Sequence, residues 1–361
     1  MKNHKPSVAI VFNHVGEDEF EQMRDVLPES LGFDPVYPIH VATVLEEYEA
    51  IAEALREQGC RAYLVNVEDD VSRLHRLLRR RRPEVIFNLV EYFKDEANLE
   101  SAVAGLHDLH GLPYTGATPF ALSLCLRKGL TKQLLFANGV HTPRYHLLRK
   151  PRLRARHGLH YPLIVKPARE DASNGIERAS VVYNQVQLRH RIDEAFTRSD
   201  PPILVEEFID GRELHVAILG NDPPTVLPIL EYDFSELPPE FPNIISYAMK
   251  WGPLTEEYHQ VHTICPAALP RRIETEVREQ ALAAYRVTRC RDYARVDLRL
   301  STSGRVYVLE VNPNPDLTEG VSFMESAEEA GLSFSQTLRQ IVDMALSRTA
   351  MPLAAPSMPL A

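Results

Sequence analysis

Four polar residues, Arg295, Asp297, Glu310 and Asn312, sit in a stretch that otherwise alternates with apolar ones, RVDLRLSTSGRVYVLEVNPN. Two carboxylates and a side-chain carbonyl are hard oxygen donors, suited to Mg2+ or Mn2+ rather than to zinc. Arg295 adds a fixed positive charge able to stabilise a phosphate or a developing oxyanion. The plainer alternative is a solvated face on which Arg295 and Glu310 form an ordinary cross-strand ion pair. The rigid, helix-averse segment Asn312-Pro313-Asn314-Pro315-Asp316 that closes the stretch favours the metal reading.

The element that must hold these groups is a β-hairpin. Residues 294–300 and 305–311 alternate with period two, and Ser301, Thr302, Ser303 and Gly304 supply the turn. The expected register pairs Arg295 with Glu310, Asp297 with Val308 and Leu298 with Tyr307. One face is then apolar (Val296, Leu298, Tyr307, Leu309, Val311). The other carries the four polar groups, with Asp297 and Glu310 diagonal neighbours roughly 5–8 Å apart.

Further upstream, 161–168 (YPLIVKPA) reads as a buried strand whose one charge, Lys166, must find an anion, either a phosphate or a structural carboxylate. A small polar loop, Arg169 to Gly175, follows; it suits closure over phosphates through its backbone N–H groups. Strands are expected at 176–183, 203–209, 213–219 and 258–265, and a long irregular loop in the proline-dense 221–255. Amphipathic helices are expected at 270–288 and 331–348.

Near the N-terminus, 8–13, 61–67 and 84–90 are short β-branched runs separated by helix-like segments, which predicts a small doubly wound parallel sheet. The loop Asn13 to Glu19 and the segment Asn88 to Lys94 leave the carboxyl ends of two of its strands and face one crevice. No GxGxxG follows the first strand, so a dinucleotide fingerprint is absent.

A net charge of −10 in 361 residues argues against a nucleic-acid partner, and a 44% hydrophobic content suffices for two or three domains. Cys60, Cys125, Cys265 and Cys290 are widely spaced, as free thiols in a reducing cytoplasm are. No signal peptide and no apolar run near 18 residues is present, so no membrane span is expected.

An Asp followed by Glu-x-Asn-x-x-Pro at the end of a hairpin resembles the magnesium-binding end of the ATP-grasp superfamily, in its D-alanine–D-alanine ligase branch. The order of the YTG at 114–116, the GVHTP at 139–143, the flap at 169–175 and the strand pair around Asp210-Gly211 is similar too. The resemblance implies an α/β chain, α+β in its C-terminal part, with an ATP-grasp fold. Its expected parts are a Rossmann-like domain at 1–118, a lid at 119–222, a catalytic domain at 223–348 and a mobile tail at 349–361.

It further implies ATP and Mg2+ (or Mn2+) bound to a carboxylate–amine ligase working through an acyl phosphate. Lys128, Lys166 and Lys250 would meet the phosphates, with Glu170 and Ser173 in the flap. Glu206, Glu207, Phe208 and Ile209 would hold the adenine and Glu213 the ribose. Asp297, Glu310 and Asn312 would hold metal, and Arg295, with Lys250, would be catalytic. A cytoplasmic homodimer acting on small-molecule carboxylates and amines is expected.

The substrate end departs from the family's pattern. Ala172 stands for a serine, Trp251 for a tyrosine, and Asp316 to Val321, with Asp316 and Glu319, for a Gly-Met-Thr-Ser-x-Ser run; Glu17 is the nearest match to an N-terminal glutamate that binds the first amine. Acidic groups there repel a free carboxylate, so a partner other than D-alanine is expected. True D-alanyl-D-alanine synthesis and a catalytically silent nucleotide-binding regulator are the alternatives.

Overall fold

The computed structural model describes residues 4–16, 19–170 and 173–348, arranged as three sheets with helices around them. Glu17, Ala172 and the expected tail at 349–361 lie outside the described residues.

The first sheet is parallel, in the order β2-β1-β3, from β1 (Ser7–Phe12), β2 (Arg61–Asn66) and β3 (Val85–Leu89). Its central strand is buried on both faces, as a parallel sheet covered by helices requires. Val8 and Ile10 face one core, while Ala9 and Val11 face another. The helix Val44–Glu57 starts where Thr43 and Glu46 close a capping box, and Gly59, at φ +79°, lies just beyond its end. The last helix, Phe334–Ser347, returns to this sheet, with Leu338, Ile341 and Val342 in the same core as Val8, Ile51 and Phe87.

The second sheet, β4-β7-β5-β6, is antiparallel and consists of β4 (Tyr145–Leu148), β5 (Leu163–Pro167), β6 (Val181–Val182) and β7 (Ile203–Glu207). The third runs β11-β10-β8-β12-β13, with β9 on β8. Its strands are β8 (Gly211–Leu219), β9 (Thr225–Val226), β10 (Leu230–Asp233), β11 (His262–Ile264), β12 (Tyr293–Ser301) and β13 (Val306–Asn312). The helix Arg271–Val287 covers its apolar face. Strand pairing separates the second sheet from the third at the turn through Asp210, ahead of the boundary expected at 222.

Three expectations about elements change. Only Val181–Val182 is strand within 176–183, because Arg178–Ser180 tightens into a 3-10 turn. Within 258–265 the chain is helical to His259 and extended only from His262. The proline-rich segment is not wholly irregular: it contains β9, β10 and the short helix Tyr247–Trp251, capped by Ser246.

The hairpin register also differs. Arg295 pairs with Asn312, Val296 with Val311 and Asp297 with Glu310, and the ladder then slips so that Leu298 meets Val308. Leu309 is the extra residue of a β-bulge. Its consequence is a change of phase along β13: Val306, Val308 and Val311 enter the core, whereas Tyr307 and Leu309, expected there, do not.

Candidate active site

The bulge turns Leu309 and Glu310 toward the same cleft between the second and third sheets. Asp297 lies directly opposite Glu310 on one side and opposite His215 of β8 on the other. Alternation along β12 places Arg295, Asp297 and Arg299 on that face, as it does Glu213 and His215 on β8.

These charges are buried, so each needs a partner. Arg295 grips Asp297 with two bonds, Nε to Oδ1 at 2.7 Å and Nη2 to Oδ2 at 3.0 Å, and Asn312 Nδ2 donates to the same Oδ2 at 2.8 Å. Lys128 Nζ lies 2.6 Å from Glu310 Oε2, and Arg299 Nη2 lies 2.8 Å from Glu213 Oε2. Burial opposes ionisation of Asp297 and Glu310, yet Arg295 and Lys128 respectively hold both carboxyls below the usual range. Glu213 goes the other way, since burial outweighs Arg299 and pushes its carboxyl up. Burial also drives the His215 imidazole down to about 3, so it is neutral at pH 7 beside Asp297, at 3.7 Å.

On the second sheet, Lys166 of β5 and Glu206 of β7 meet at 2.7 Å. Glu206 is 1% exposed and takes a second cation, Lys132, at 2.8 Å. Against the effect of burial, these two lysines hold its carboxyl down at about 2. Of the two anions the sequence offered for Lys166, the folded chain supplies the structural carboxylate. Lys166 and Glu206 also line the cleft, together with Ser173, Phe208, Ile209 and Glu213. Glu207 lines it as well, while its carboxylate accepts from the His160 backbone N–H at 2.9 Å. Arg299 covers the Phe208 ring at 5.2 Å.

Lys250, from the short helix, reaches both this cleft and a second cavity toward the first sheet. Burial and Arg295 together push its pKa down. Trp251, Asn312 and Asp316 wall the second cavity. Glu319 is exposed and stands apart from both cavities, and Glu170 accepts from Asn174 Nδ2 at 2.5 Å on the flap's outer surface.

Lys132, His215, Arg299 and Leu309 belong to the site and were not singled out in the sequence. Lys132 follows Lys128 by one helical turn, and Arg299 and His215 follow Asp297 and Glu213 by one strand repeat, so periodicity carried the signal for three of them. Leu309 needed the bulge.

The sequence model of the family described as "D-ala D-ala ligase C-terminus" matches residues 134–343. A protein of Sinorhizobium fredii (strain NBRC 101917 / NGR234) named "Uncharacterized protein y4sG" is 34% identical over 307 residues, which is 83% of this chain and 87% of the relative. A D-alanine–D-alanine ligase of Desulforudis audaxviator is 31% identical over 308 residues, 84% of this chain and 94% of the relative. A D-alanine–D-alanine ligase of Bacillus anthracis, solved in complex with ATP, has the same fold, with a TM-score of 0.71 at 20% identity over 96% of this chain and 99% of its own. Family motif, near-full-length relatives and fold agree, and the chain belongs to the D-alanine–D-alanine ligase family of ATP-grasp enzymes, a carboxylate–amine ligase forming C–N bonds.

Proposed function

We propose that the chain joins an amino-acid carboxylate to an amine other than free D-alanine, by way of an acyl phosphate made from ATP. The observation that carries this is the bulged hairpin, which gathers Asp297, Glu310 and Asn312 on one face beside Arg295, Lys128 and Lys250. The donor types suit a hard divalent cation: Asp297 and Glu310 stand opposite each other across the hairpin, Asn312 is hydrogen-bonded to Asp297, and the cationic side chains of Arg295 and Lys128 meet the two carboxylates. Mg2+ or Mn2+ held there would supply charge neutralisation at the transferring phosphoryl group.

In this reading ATP lies in the cleft between the second and third sheets. Its base lies against Phe208 and Leu309, with the backbone of Glu207 and Ile209 at the base edge and Glu213 toward the ribose. Lys128, Lys166 and Lys250 face the phosphates, and Ser173 lies in the flap over them. One substrate carboxylate oxygen bonds to the γ-phosphorus as ADP leaves. The amine nitrogen then bonds to the acyl carbon, inorganic phosphate leaves, and the nitrogen gives up a proton. Arg295 is positioned for the tetrahedral oxyanion, where one such donor is worth about 2.7–4 kcal/mol.

A partner other than D-alanine is supported by Asp316 and Trp251 in the cavity wall, where the family's pattern has a glycine and a tyrosine. The second reading, D-alanine in both places, is favoured by the similarity to the Desulforudis D-alanine–D-alanine ligase. Phosphate release with Mg-ATP and D-alanine, alone and with a panel of amines and carboxylates, separates the two when products are weighed by mass spectrometry. Turnover with D-alanine alone, unmatched by any mixed pair, overturns the first reading. Glu310→Gln is expected to cut phosphate release by about 10²-fold or more with unchanged circular dichroism. An active Glu310→Gln enzyme would remove the metal assignment.

A further inference from the structure

Arg299 of β12 is 3% exposed, and its guanidinium touches four residues at once. Nη2 meets the Glu213 carboxylate of β8 at 2.8 Å and also donates to the Asn243 carbonyl. Nη1 donates to the Gly211 carbonyl at 3.2 Å, where the second sheet gives way to the third. The central carbon of the group lies 5.2 Å over the centre of the Phe208 ring.

Two of these contacts belong to the nucleotide side of the cleft, since Phe208 lies against the base and Glu213 faces the ribose in the reading above. Arg299 stands directly opposite Glu213 in the β8–β12 ladder, so guanidinium and carboxylate share one face. The contact at Asn243 belongs to the phosphate side. Three residues further on, the Ser246 hydroxyl accepts from the Met249 N–H and caps the helix that carries Lys250. Hydrogen bonds do little else to fix this stretch. Pro238, Pro239 and Pro242 have no N–H to give, and the Phe241 and Ile244 N–H groups turn back on Pro238 and Pro242 at 2.8 Å each. Ile244 and Ile245 add apolar packing in two small clusters. The Tyr247 N–H ties the start of the helix to the Ile176 carbonyl, just beyond the flap, at 3.0 Å. Arg299 ties the same stretch to the third sheet.

We propose that Arg299 is a positioning residue that couples recognition of the ribose to the placement of Lys250, holding Glu213 toward the sugar and the Asn243 loop toward the phosphates with one rigid fork. A lysine does not replace it, because a single ammonium has no fixed fork with which to span Glu213, Gly211 and Asn243 together. The role at the sugar rests on the ATP reading above; the hold on the loop does not.

The test uses the full chain and two variants, Arg299→Lys, which keeps a positive charge beside Glu213, and Arg299→Met, which does not. Hydrogen exchange read by mass spectrometry is expected to show the amides of 243–251 opening about tenfold faster in both, with β8 and β12 exchanging as in the parent. Calorimetry with Mg2+ compares a non-hydrolysable ATP analogue with its 2′,3′-dideoxy form. The parent is expected to prefer the ribose form about tenfold or more, Arg299→Lys to keep that preference, and Arg299→Met to bring it within about twofold. In steady-state phosphate release, Arg299→Lys is expected to lower kcat about tenfold with KM for ATP within about threefold, as a displaced Lys250 requires. The coupling is overturned if exchange at 243–251 is unchanged in Arg299→Lys, if β8 and β12 open together with the loop, or if Arg299→Met keeps the preference for the ribose form. Should Arg299→Met fail to fold by circular dichroism, Arg299→Lys decides alone: faster loop exchange with a fall in kcat supports the coupling, and an unchanged kcat overturns it. A parent that releases no phosphate with any substrate pair, while the variants behave as expected in exchange and calorimetry, would overturn the ligase reading and leave the role of Arg299 standing.

Discussion

Glu206 carries a full charge into a site that is 1% exposed because two lysines meet it, whereas His107, 0% exposed, has no partner for either ring nitrogen. The two residues resolve burial in opposite ways. Glu206 stays ionised, held at about 2, while burial pushes His107 down to about 3 and keeps its ring neutral. The neutral ring has a consequence for stability. Between about pH 3 and the unfolded value near 6.5, the unfolded chain binds a proton at His107 that the folded chain refuses, so stability falls as pH falls through that window. At pH 5 the penalty from this one residue is about 2 kcal/mol. His107→Leu removes both the titration and two unsatisfied buried nitrogens. Urea denaturation should therefore find the stability of His107→Leu relative to the parent about 2 kcal/mol more favourable at pH 5 than at pH 8. An equal difference at both values would mean that His107 is protonated within the fold.

The hairpin β12–β13 shows at the scale of an element what periodicity can and cannot carry. The polar face of β12 was legible because Arg295 and Asp297 keep strict period two, a spacing that Arg299 continues. The register of β13 was not, because two apolar sets coexist in VYVLEVN: residues 307, 309 and 311 at uniform spacing, and 306, 308 and 311 with a step of three. The fold takes the second set. Three β-branched valines then pack under the sheet, Glu310 stands opposite Asp297, and Leu309 remains on the cleft side. Two substitutions separate the registers. Val308→Ser should cost about 2 kcal/mol or more in urea denaturation, as deletion of core methyls and burial of a hydroxyl imply. Leu309→Ser should leave that stability within about 0.5 kcal/mol and weaken ATP-analogue binding about tenfold through lost apolar contact. The reverse pattern would restore the uniform register.

At the scale of the molecule, the family and the sheet classes were readable in order along the chain, but the contacts that join the first sheet to the hairpin were not, since they link residues far apart in sequence. Gly116, which leaves the first sheet at φ +81°, passes so close to the segment after β13 that a Cβ there would lie 2.3 Å from Asn314 Oδ1. That oxygen already accepts from the Ala117 N–H at 2.8 Å, and the Gly116 N–H donates to Asp292 Oδ2 at 3.0 Å. Asp292, fully buried, is held in turn by Asn221 and by Arg348 at the end of the last helix. Gly116, Asn221, Asp292 and Arg348, far apart in sequence, are thus linked into one hydrogen-bonded cluster beside Asn314. Gly116→Ala must push Asn314 aside as well as strain the backbone. Gly111, at φ +60°, is a control with equal strain and nothing within 4 Å of an added Cβ. Both alanine variants should lose about 1–3 kcal/mol of stability. Only Gly116→Ala should also lose kcat/KM for the carboxylate substrate, by about 10- to 100-fold, because a small displacement of the donor segment misaligns attack on the γ-phosphate. If steady-state phosphate release falls equally in the two variants, the loss comes from stability alone, and the first sheet does not position the segment after β13 through Asn314.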